Sequence, residues 1–216
     1  MQNAFSDYFA SVTVSSNKRV PDFPIHNVPQ LNSIDVDKQH VLNAIKKLKC
    51  NLSAGPDGLP PLLFRRVKNG IAFPLALMFK QMLSVAFIPD EWKTAVITPV
   101  HKKGPTEQVS NYRPISITCV PCKLLERIIA NQIYRHLNVN NILCNEQHGF
   151  THGKSTCTNL LETLNDWTLN LQNGFPTVVI YIDFSKAFDV VQHDKLFLKL
   201  CAVGISGDLL AVIKIA

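Results

Sequence analysis

The residue best suited to bind a metal ion is Asp183, which lies at the end of an apolar run. Thr177 to Phe184 reads TVVIYIDF, a pattern that predicts a strand covered on both faces. A carboxylate there needs a partner or an ion to offset its desolvation. Mg²⁺ prefers carboxylate and carbonyl oxygens, and a strand end can supply both. Position alone favours equally a metal ligand and a residue that caps the next turn or helix.

Basic residues are concentrated in the middle of the sequence. Between Lys93 and Arg135 there are seven Lys or Arg residues and only two Glu residues, within a chain of net charge +6. This concentration favours contact with phosphates over a basic surface exposed only to water. The charge balance is therefore compatible with a polyanionic partner.

Hydrophobic periodicity predicts a mixed α/β fold. A helix capped by Ser33 or Asp35 precedes two helical patterns separated at proline, Pro60–Lys68 and Phe73–Phe87. A hairpin follows, then two helices, then the strand that carries Asp183, and last a third helix. The hairpin strands are predicted over 94–100 and 113–117, and the helices over 123–137, 158–172 and 194–202. Residues 1–32 are predicted to form a loosely ordered lead-in.

Several classes of protein are disfavoured by the sequence. The first twelve residues lack a basic start and an apolar core, and no run is apolar enough to span a membrane, so we expect an intracellular protein without membrane contact. Cys119 and Cys122 have no partner pair at zinc-finger spacing, which favours two core thiols over a metal site. The segment Gly153-Lys154-Ser155-Thr156 lacks the upstream glycine of a phosphate-binding loop.

Four ordered segments resemble the reverse transcriptases of non-LTR, LINE-type retrotransposons of the jockey-like branch. Tyr181 to Leu196 (YIDFSKAFDVVQHDKL) resembles the first palm motif of that family. The other three segments are similar to the family's N-terminal extension, fingers hairpin and next motif, in that order. They are 53–60 (SAGPDGLP), 97–104 with 111–117 (ITPVHKKG and NYRPISI), and 146–156 (EQHGFTHGKST).

The resemblance implies a right-hand polymerase fold, helix-rich α+β, with fingers over 33–176 and a partial palm over 177–216. It also implies an RNA-directed DNA polymerase that joins a deoxynucleotide to a primer 3′ end by two-metal catalysis. The implied partners are an RNA template, a DNA primer and a deoxynucleoside triphosphate, and the implied cofactor is Mg²⁺.

The resemblance assigns roles to individual residues. Asp183 matches a catalytic, metal-binding carboxylate, and Phe184 matches the residue that offers its backbone carbonyl to the metal. The positions that match nucleotide-binding residues are Lys102, Arg113, Gln147 and Phe188, the last being the aromatic that fills the space of a ribose 2′-hydroxyl. Those that match nucleic-acid-binding residues are Lys103, Gly149 and Lys154. Thr151 stands where many relatives carry Arg, which removes one phosphate contact.

The sequence contains no Asp-Asp pair that could complete the metal site. One carboxylate cannot hold two magnesium ions in a fixed geometry, so we expect this chain alone, a truncated domain, not to polymerise. The alternatives are a non-catalytic nucleic-acid-binding remnant of such an element and a related class such as an intron maturase. The long FSKAFDVV segment favours the retrotransposon branch over the maturase.

Overall fold

Seven α-helices and one β-hairpin make up the regular structure of the computed structural model, which describes residues 2–12, 22–49 and 53–215. Two short 3-10 turns, Asp90–Trp92 and Val109–Asn111, flank the first strand and the hairpin loop. None of the described helices is long and apolar enough to cross a membrane. The prediction of a helix-rich α+β fold is confirmed. The elements, in chain order, are α1 (Gln2–Val12), α2 (Lys38–Lys46), α3 (Pro61–Ser84), β1 (Val96–His101), β2 (Tyr112–Ile117), α4 (Val120–Val139), α5 (Thr156–Gln172), α6 (His193–Ala202) and α7 (Gly207–Ile215).

The hydrophobic core lies between α2, α3, α4 and α7. Its largest fully buried side chains include Ile45 of α2, Phe79 of α3, Leu124 of α4 and Leu209 of α7. Each helix contributes residues spaced three or four apart, which places them on a single face. Arg127 of α4 donates a hydrogen bond to the carbonyl of Ala44 at 3.3 Å, so α4 also covers the C-terminal end of α2.

Helix α3 is continuous over 24 residues and includes Pro74. The prediction of two helices separated at proline is therefore wrong. Proline removes one backbone donor and crowds the carbonyl four residues earlier, which here belongs to Gly70. Phe64 and Phe79, on opposite sides of Pro74, are both buried in the same core. Packing on both sides of the proline thus outweighs its local cost.

Helix α2 begins later than predicted. Its N-cap is Asp37, whose Oδ1 accepts a hydrogen bond from the backbone N–H of His40 at 2.7 Å. Neither Ser33 nor Asp35 caps the helix, and Asp35 instead lies 2.9 Å from Lys80 Nζ of α3. Ser33, Asp35 and Asp37 are all residue types that can cap a helix. Which one does so depends on where the helix places its buried face.

The lead-in segment has more structure than the sequence predicts. Gln2–Val12 forms α1, and backbone hydrogen bonds join residues 26–32 to residues 202–209. Leu31, for example, donates to the carbonyl of Gly204 at 2.8 Å. The prediction of a loosely ordered segment is wrong for these residues, while 13–21 lie outside the described residues. Helix α7, which the sequence analysis did not predict, is part of the same C-terminal unit.

The predicted strand from Thr177 to Phe184 is not formed. These residues form no regular secondary structure, are exposed and have no strand partner among the described residues. Ile180 is 80% exposed and Ile182 is 78% exposed. A strand needs a neighbour to satisfy its backbone and cover its side chains, and β1 and β2 pair only with each other. The sequence pattern is typical of a sheet strand, but among the described residues no sheet lies beside this segment.

The two cysteines at the start of α4 are free thiols that lie in the core. Cys119 and Cys122 are both buried, and the Cys122 thiol donates to Glu126 Oε1 at 3.4 Å. Burial, reinforced by the charge of Glu126, raises the pKa of Cys122 to about 12. Burial also raises the pKa of Cys119. The preference for core thiols over a metal site is consistent with this arrangement.

Candidate functional site

The hairpin of β1 and β2 holds the basic residues predicted to contact phosphates. The strands are antiparallel, with Val100 opposite Arg113 and Pro99 opposite Pro114. Just beyond the pairs, the N–H of Lys102 donates to the carbonyl of Asn111 at 2.8 Å. Hydrogen-bonded pairs alternate with non-hydrogen-bonded pairs in such a ladder. The two prolines therefore occupy a non-hydrogen-bonded pair, where neither one removes a bond between the strands.

The ladder places Lys102 and Arg113 on the same face of the hairpin. Side chains two residues apart on a strand share a face, so Lys102 lies on the face of Val100 and hence of Arg113. Both basic residues are exposed, as is Lys103 in the turn that follows. Diagonal neighbours of this kind lie about 7–8 Å apart at Cα, within reach of one phosphate group for long side chains. The structure thus places two of the four residues predicted to bind nucleotide on one face of the hairpin.

Helix α1 lies against part of the opposite face of the hairpin. The ring of Phe5 meets the ring of Tyr112 edge to face, with centroids 4.9 Å apart. Between α1 and β1 lies a cavity of about 500 Å³. Helix α1 therefore lies near one face of the hairpin without burying it, since Ile97 on that face is 53% exposed, and the face with Lys102 and Arg113 is exposed as well. The cavity is lined by Phe5, Ser6, Phe9, Ala10, Ile97 and Pro99.

The hairpin loop requires glycine at position 104. Gly104 has a φ of +84°, and a Cβ at this position would lie 2.7 Å from the side-chain nitrogen of Asn111. The same Asn111 nitrogen donates to the carbonyl of Pro105 at 2.8 Å. Asn111 and Gly104 together shape the loop that presents Lys102 and Lys103.

A second group of predicted residues lies in the turn before α5. Gln147 Nε2 donates to the carbonyl of Gly149 at 3.3 Å, and the Lys154 ammonium donates to the carbonyl of Asn145. Gly149 faces open space, because no atom lies within 4 Å of the place a Cβ would take. Gln147 and Gly149 are thus available to a ligand, whereas Lys154 is turned back on its own loop.

His148, between Gln147 and Gly149, was not singled out by the sequence analysis. It is buried, and its two ring nitrogens lie 2.9 Å from Thr158 Oγ1 and 2.9 Å from Glu162 Oε2. Both partners are on α5, four residues apart and so on one face. Nothing in the local sequence separates this histidine from an exposed one, since its partners lie 10 and 14 residues away.

Asp183, Phe184 and Phe188 lie in the exposed segment that precedes α6. Asp183 is exposed, so the desolvation argument for a metal there is not met in this structure. Phe188 is 78% exposed, and its ring packs edge to face on Phe150 at 6.0 Å. Lys186, in the same segment, lies 4.8 Å from the ring of Tyr8 in α1. The segment therefore contacts both the turn before α5 and the helix behind the hairpin.

The described residues do not assemble a metal site. No group of three or more His, Cys, Asp or Glu side chains that could hold an ion occurs among them. The Asp183 carboxylate with the Phe184 carbonyl provides only a fraction of the six oxygen ligands that Mg²⁺ requires. The residues present do not fit a complete two-metal centre.

A larger basic concentration precedes the hairpin and was overlooked. Residues 38–80 contain eight Lys or Arg and a single acidic residue, Asp57. Arg65 of α3 donates to the carbonyl of Leu48 at 3.3 Å, which gathers Lys47, Lys49 and Arg65 at the end of α2. The concentration of basic residues between Lys93 and Arg135 is therefore not the largest in the chain. A count of charges in a moving window would have found this second surface.

The class of protein that the ordered motifs predict is a polymerase-type nucleotidyltransferase, and comparison with known proteins tests that prediction. Residues 100–214 match the family described as reverse transcriptase (RNA-dependent DNA polymerase), and the chain belongs to this family. It is 34% identical to the probable RNA-directed DNA polymerase from transposon BS of Drosophila melanogaster, over 75% of this chain and 18% of that protein.

Other relatives carry the same kind of description. The chain is 32% identical to the RNA-directed DNA polymerase from mobile element jockey of Drosophila melanogaster, over 76% of this chain and 18% of that protein. It is 28% identical to the Pol polyprotein from type-1 retrotransposable element R2 of Popillia japonica, over 79% of this chain and 22% of that protein. The chain thus spans about a fifth of the length of these relatives. The predicted resemblance to non-LTR retrotransposon reverse transcriptases is confirmed.

Proposed function

We propose that this chain is the template- and nucleotide-holding part of an RNA-directed DNA polymerase, corresponding to its fingers and the beginning of its palm. The observation that carries the proposal is the hairpin register, which supports joint phosphate binding by Lys102 and Arg113 on an uncovered face. A guanidinium fork and a flexible ammonium are suited to the triphosphate of an incoming deoxynucleotide. The partners are an RNA template, a DNA primer and the deoxynucleotide.

The remaining residues extend this surface. Lys103 adds a basic side chain in the turn next to Lys102. Gln147, Gly149 and Lys154 belong to the turn that lies near template and nucleotide in the proposed arrangement. Phe188 restricts the space beside the sugar, where a ribose 2′-hydroxyl would stand. Its exposure and its contact with Phe150 support a position at a surface rather than in a core. The basic residues around Lys47 and Arg65 offer additional contact with a nucleic-acid backbone.

The proposed binding is tested by the salt dependence of affinity for a fluorescent deoxynucleoside triphosphate, measured in the presence of an RNA template annealed to a DNA primer. Lys102→Ala and Arg113→Ala each remove one phosphate contact. In each variant the log of the association constant should therefore fall less steeply with the log of the salt concentration, by about 1 in slope. Lys199→Ala, an exposed lysine of α6, is the matched control and leaves the slope unchanged. Equal slopes for all three variants and the parent would overturn the assignment of the hairpin.

We assign Asp183, with the Phe184 carbonyl, to the first ligand positions of the magnesium site in a complete polymerase. When bound, Mg²⁺ would neutralise charge on the transferred phosphoryl group. These 216 residues contain no Asp-Asp pair, so the chain alone binds the primed template but does not extend it in magnesium. Incorporation of a labelled deoxynucleotide by the purified chain, lost in Asp183→Asn, would contradict this expectation.

A further inference from the structure

His148 is the one buried polar or charged residue in the described part of the chain. Its side chain is 4% exposed, whereas that of Glu162, its partner, is 61% exposed. Burying an imidazole costs free energy unless both nitrogens find partners. Here both do, at 2.9 Å each. The exposed carboxylate of Glu162 could be solvated by water without this contact. The contact therefore serves His148, because the buried ring nitrogen needs a hydrogen-bond partner.

The partners of His148 belong to the rigid start of α5. Thr158 forms a capping box with Ser155, whose hydroxyl accepts from the backbone N–H of Thr158 at 3.2 Å. The Thr158 hydroxyl in turn accepts the N–H of Ser155 at 2.8 Å. His148 is therefore bonded to the capped first turn of the helix, and Glu162 holds the far side of the ring one turn later.

A second tether holds the other end of the same turn. The backbone N–H of His152 donates to the Tyr134 hydroxyl of α4 at 3.0 Å, and the two rings meet edge to face at 4.7 Å. Between the two anchors lie Gly149, Phe150 and Thr151. Phe150 has a φ of +59°, a conformation that a bulky residue adopts only under constraint.

We propose that His148 is a positioning residue that holds the Gln147–Phe150 turn at the angle from which it contacts template and nucleotide. Gln147 and Gly149 are the immediate neighbours of His148 in the sequence. Phe150 contacts Phe188, with ring centroids 6.0 Å apart, so fixing the turn also positions Phe188. The two directed hydrogen bonds fix the rotation of the His148 ring. An apolar side chain would fill the same space but would form no such bonds. The proposal rests on the proposed function, since it concerns the same binding surface.

The test compares variants that keep the volume of the side chain but change its bonds. His148→Phe removes both hydrogen bonds, Glu162→Gln weakens one of them from the exposed side, and His148→Gln retains an amide donor. Asp166→Asn, on the same helix and also exposed, is the charge-matched control. Each variant is assayed for affinity to the primed RNA template, and its thermal midpoint is measured in parallel.

We expect His148→Phe to weaken binding about fivefold and Glu162→Gln about threefold, with His148→Gln within about twofold of the parent, since a hydrogen bond contributes on the order of 1 kcal/mol. The His148→Phe, Glu162→Gln double variant is no weaker than His148→Phe alone. If His148→Phe fails to fold, Glu162→Gln with Thr158→Val carries the test from the helix side.

The outcomes separate the two proposals. If the parent chain does not bind the primed template, the proposed function fails. If the parent binds and the folded His148 and Glu162 variants bind equally well, only the role of His148 is overturned. A lower thermal midpoint with unchanged affinity at low temperature would likewise overturn it, since that pattern describes a purely structural histidine.

Discussion

Two regions of the molecule have similar apolar compositions but differ in burial. One is the bundle of α2, α3 and α4, and the other is the stretch from α5 to Val191. Both regions are rich in Leu, Ile, Val and Phe, yet α3 and α4 bury thirteen residues between them and α5 buries none. Leu160, Leu164 and Leu171 of α5 are each more than half exposed. An apolar helical face therefore becomes a core only when another element covers it. In the second region, none of the described elements does so.

Thiol reactivity gives the widest contrast between the two regions. Cys119 and Cys122 lie in the packed region with raised pKa values, whereas Cys157 of α5 is exposed. Alkylation needs both access and the thiolate. We expect iodoacetamide to label Cys157 at least about 1,000-fold faster than Cys119 or Cys122, as a core residue reacts only through opening of the fold. Peptide mass spectrometry over time measures the rates, and similar rates would show that the core of α4 is loose.

Truncation of a phenylalanine distinguishes the regions by stability. Phe79 is fully buried, so Phe79→Ala should lower the free energy of unfolding by about 3–5 kcal/mol through lost burial and a cavity. Phe188→Ala removes the same atoms from an exposed site and should cost less than about 0.5 kcal/mol. Urea denaturation measures both. Equal losses would contradict the exposed position of Phe188.

Glycine substitution tests the same contrast at the backbone. A Cβ at Gly55 would lie 2.6 Å from the carbonyl oxygen of Thr118, so Gly55→Ala should cost about 1–3 kcal/mol, as overpacking does. Gly149→Ala meets open space and should change stability by less than about 0.5 kcal/mol. Thermal midpoints of the two variants are compared. A stable Gly55→Ala variant would show that the 53–58 turn is not fixed against the base of α4.

The smallest effect concerns the start of α2. The backbone hydrogen bond from His40 lowers the pKa of Asp37. A carboxylate with a lowered pKa stabilises the fold above about pH 4, and this contribution is lost as the pH falls through the folded-state pKa. Asp37→Asn should therefore lower the thermal midpoint slightly at pH 7 and hardly at all at pH 2.5. An unchanging difference across that range would rule out a charge effect.

Sequence reasoning succeeded where local pattern and tertiary environment agree. The hairpin, α4, α5 and α6 lie close to their predicted bounds, because each has a clear period and its own end signals. It failed at Pro74 and at residues 177–184, where the result depends on what packs nearby. Lys102 and Arg113 could be paired from the hairpin pattern alone. The anchoring of Gln147 and Gly149 through His148 could not, because its partners lie on a separate helix.

The facing prolines of the hairpin have a consequence for assembly. In a non-hydrogen-bonded pair the nitrogens of Pro99 and Pro114 point away from each other, toward the two outer edges. A third strand joining either edge would find no N–H donor at that point, so neither edge can be extended there. The hairpin is thus protected from recruiting neighbouring molecules into a growing sheet. The 177–182 run, whose residues all carry N–H groups, has no such protection.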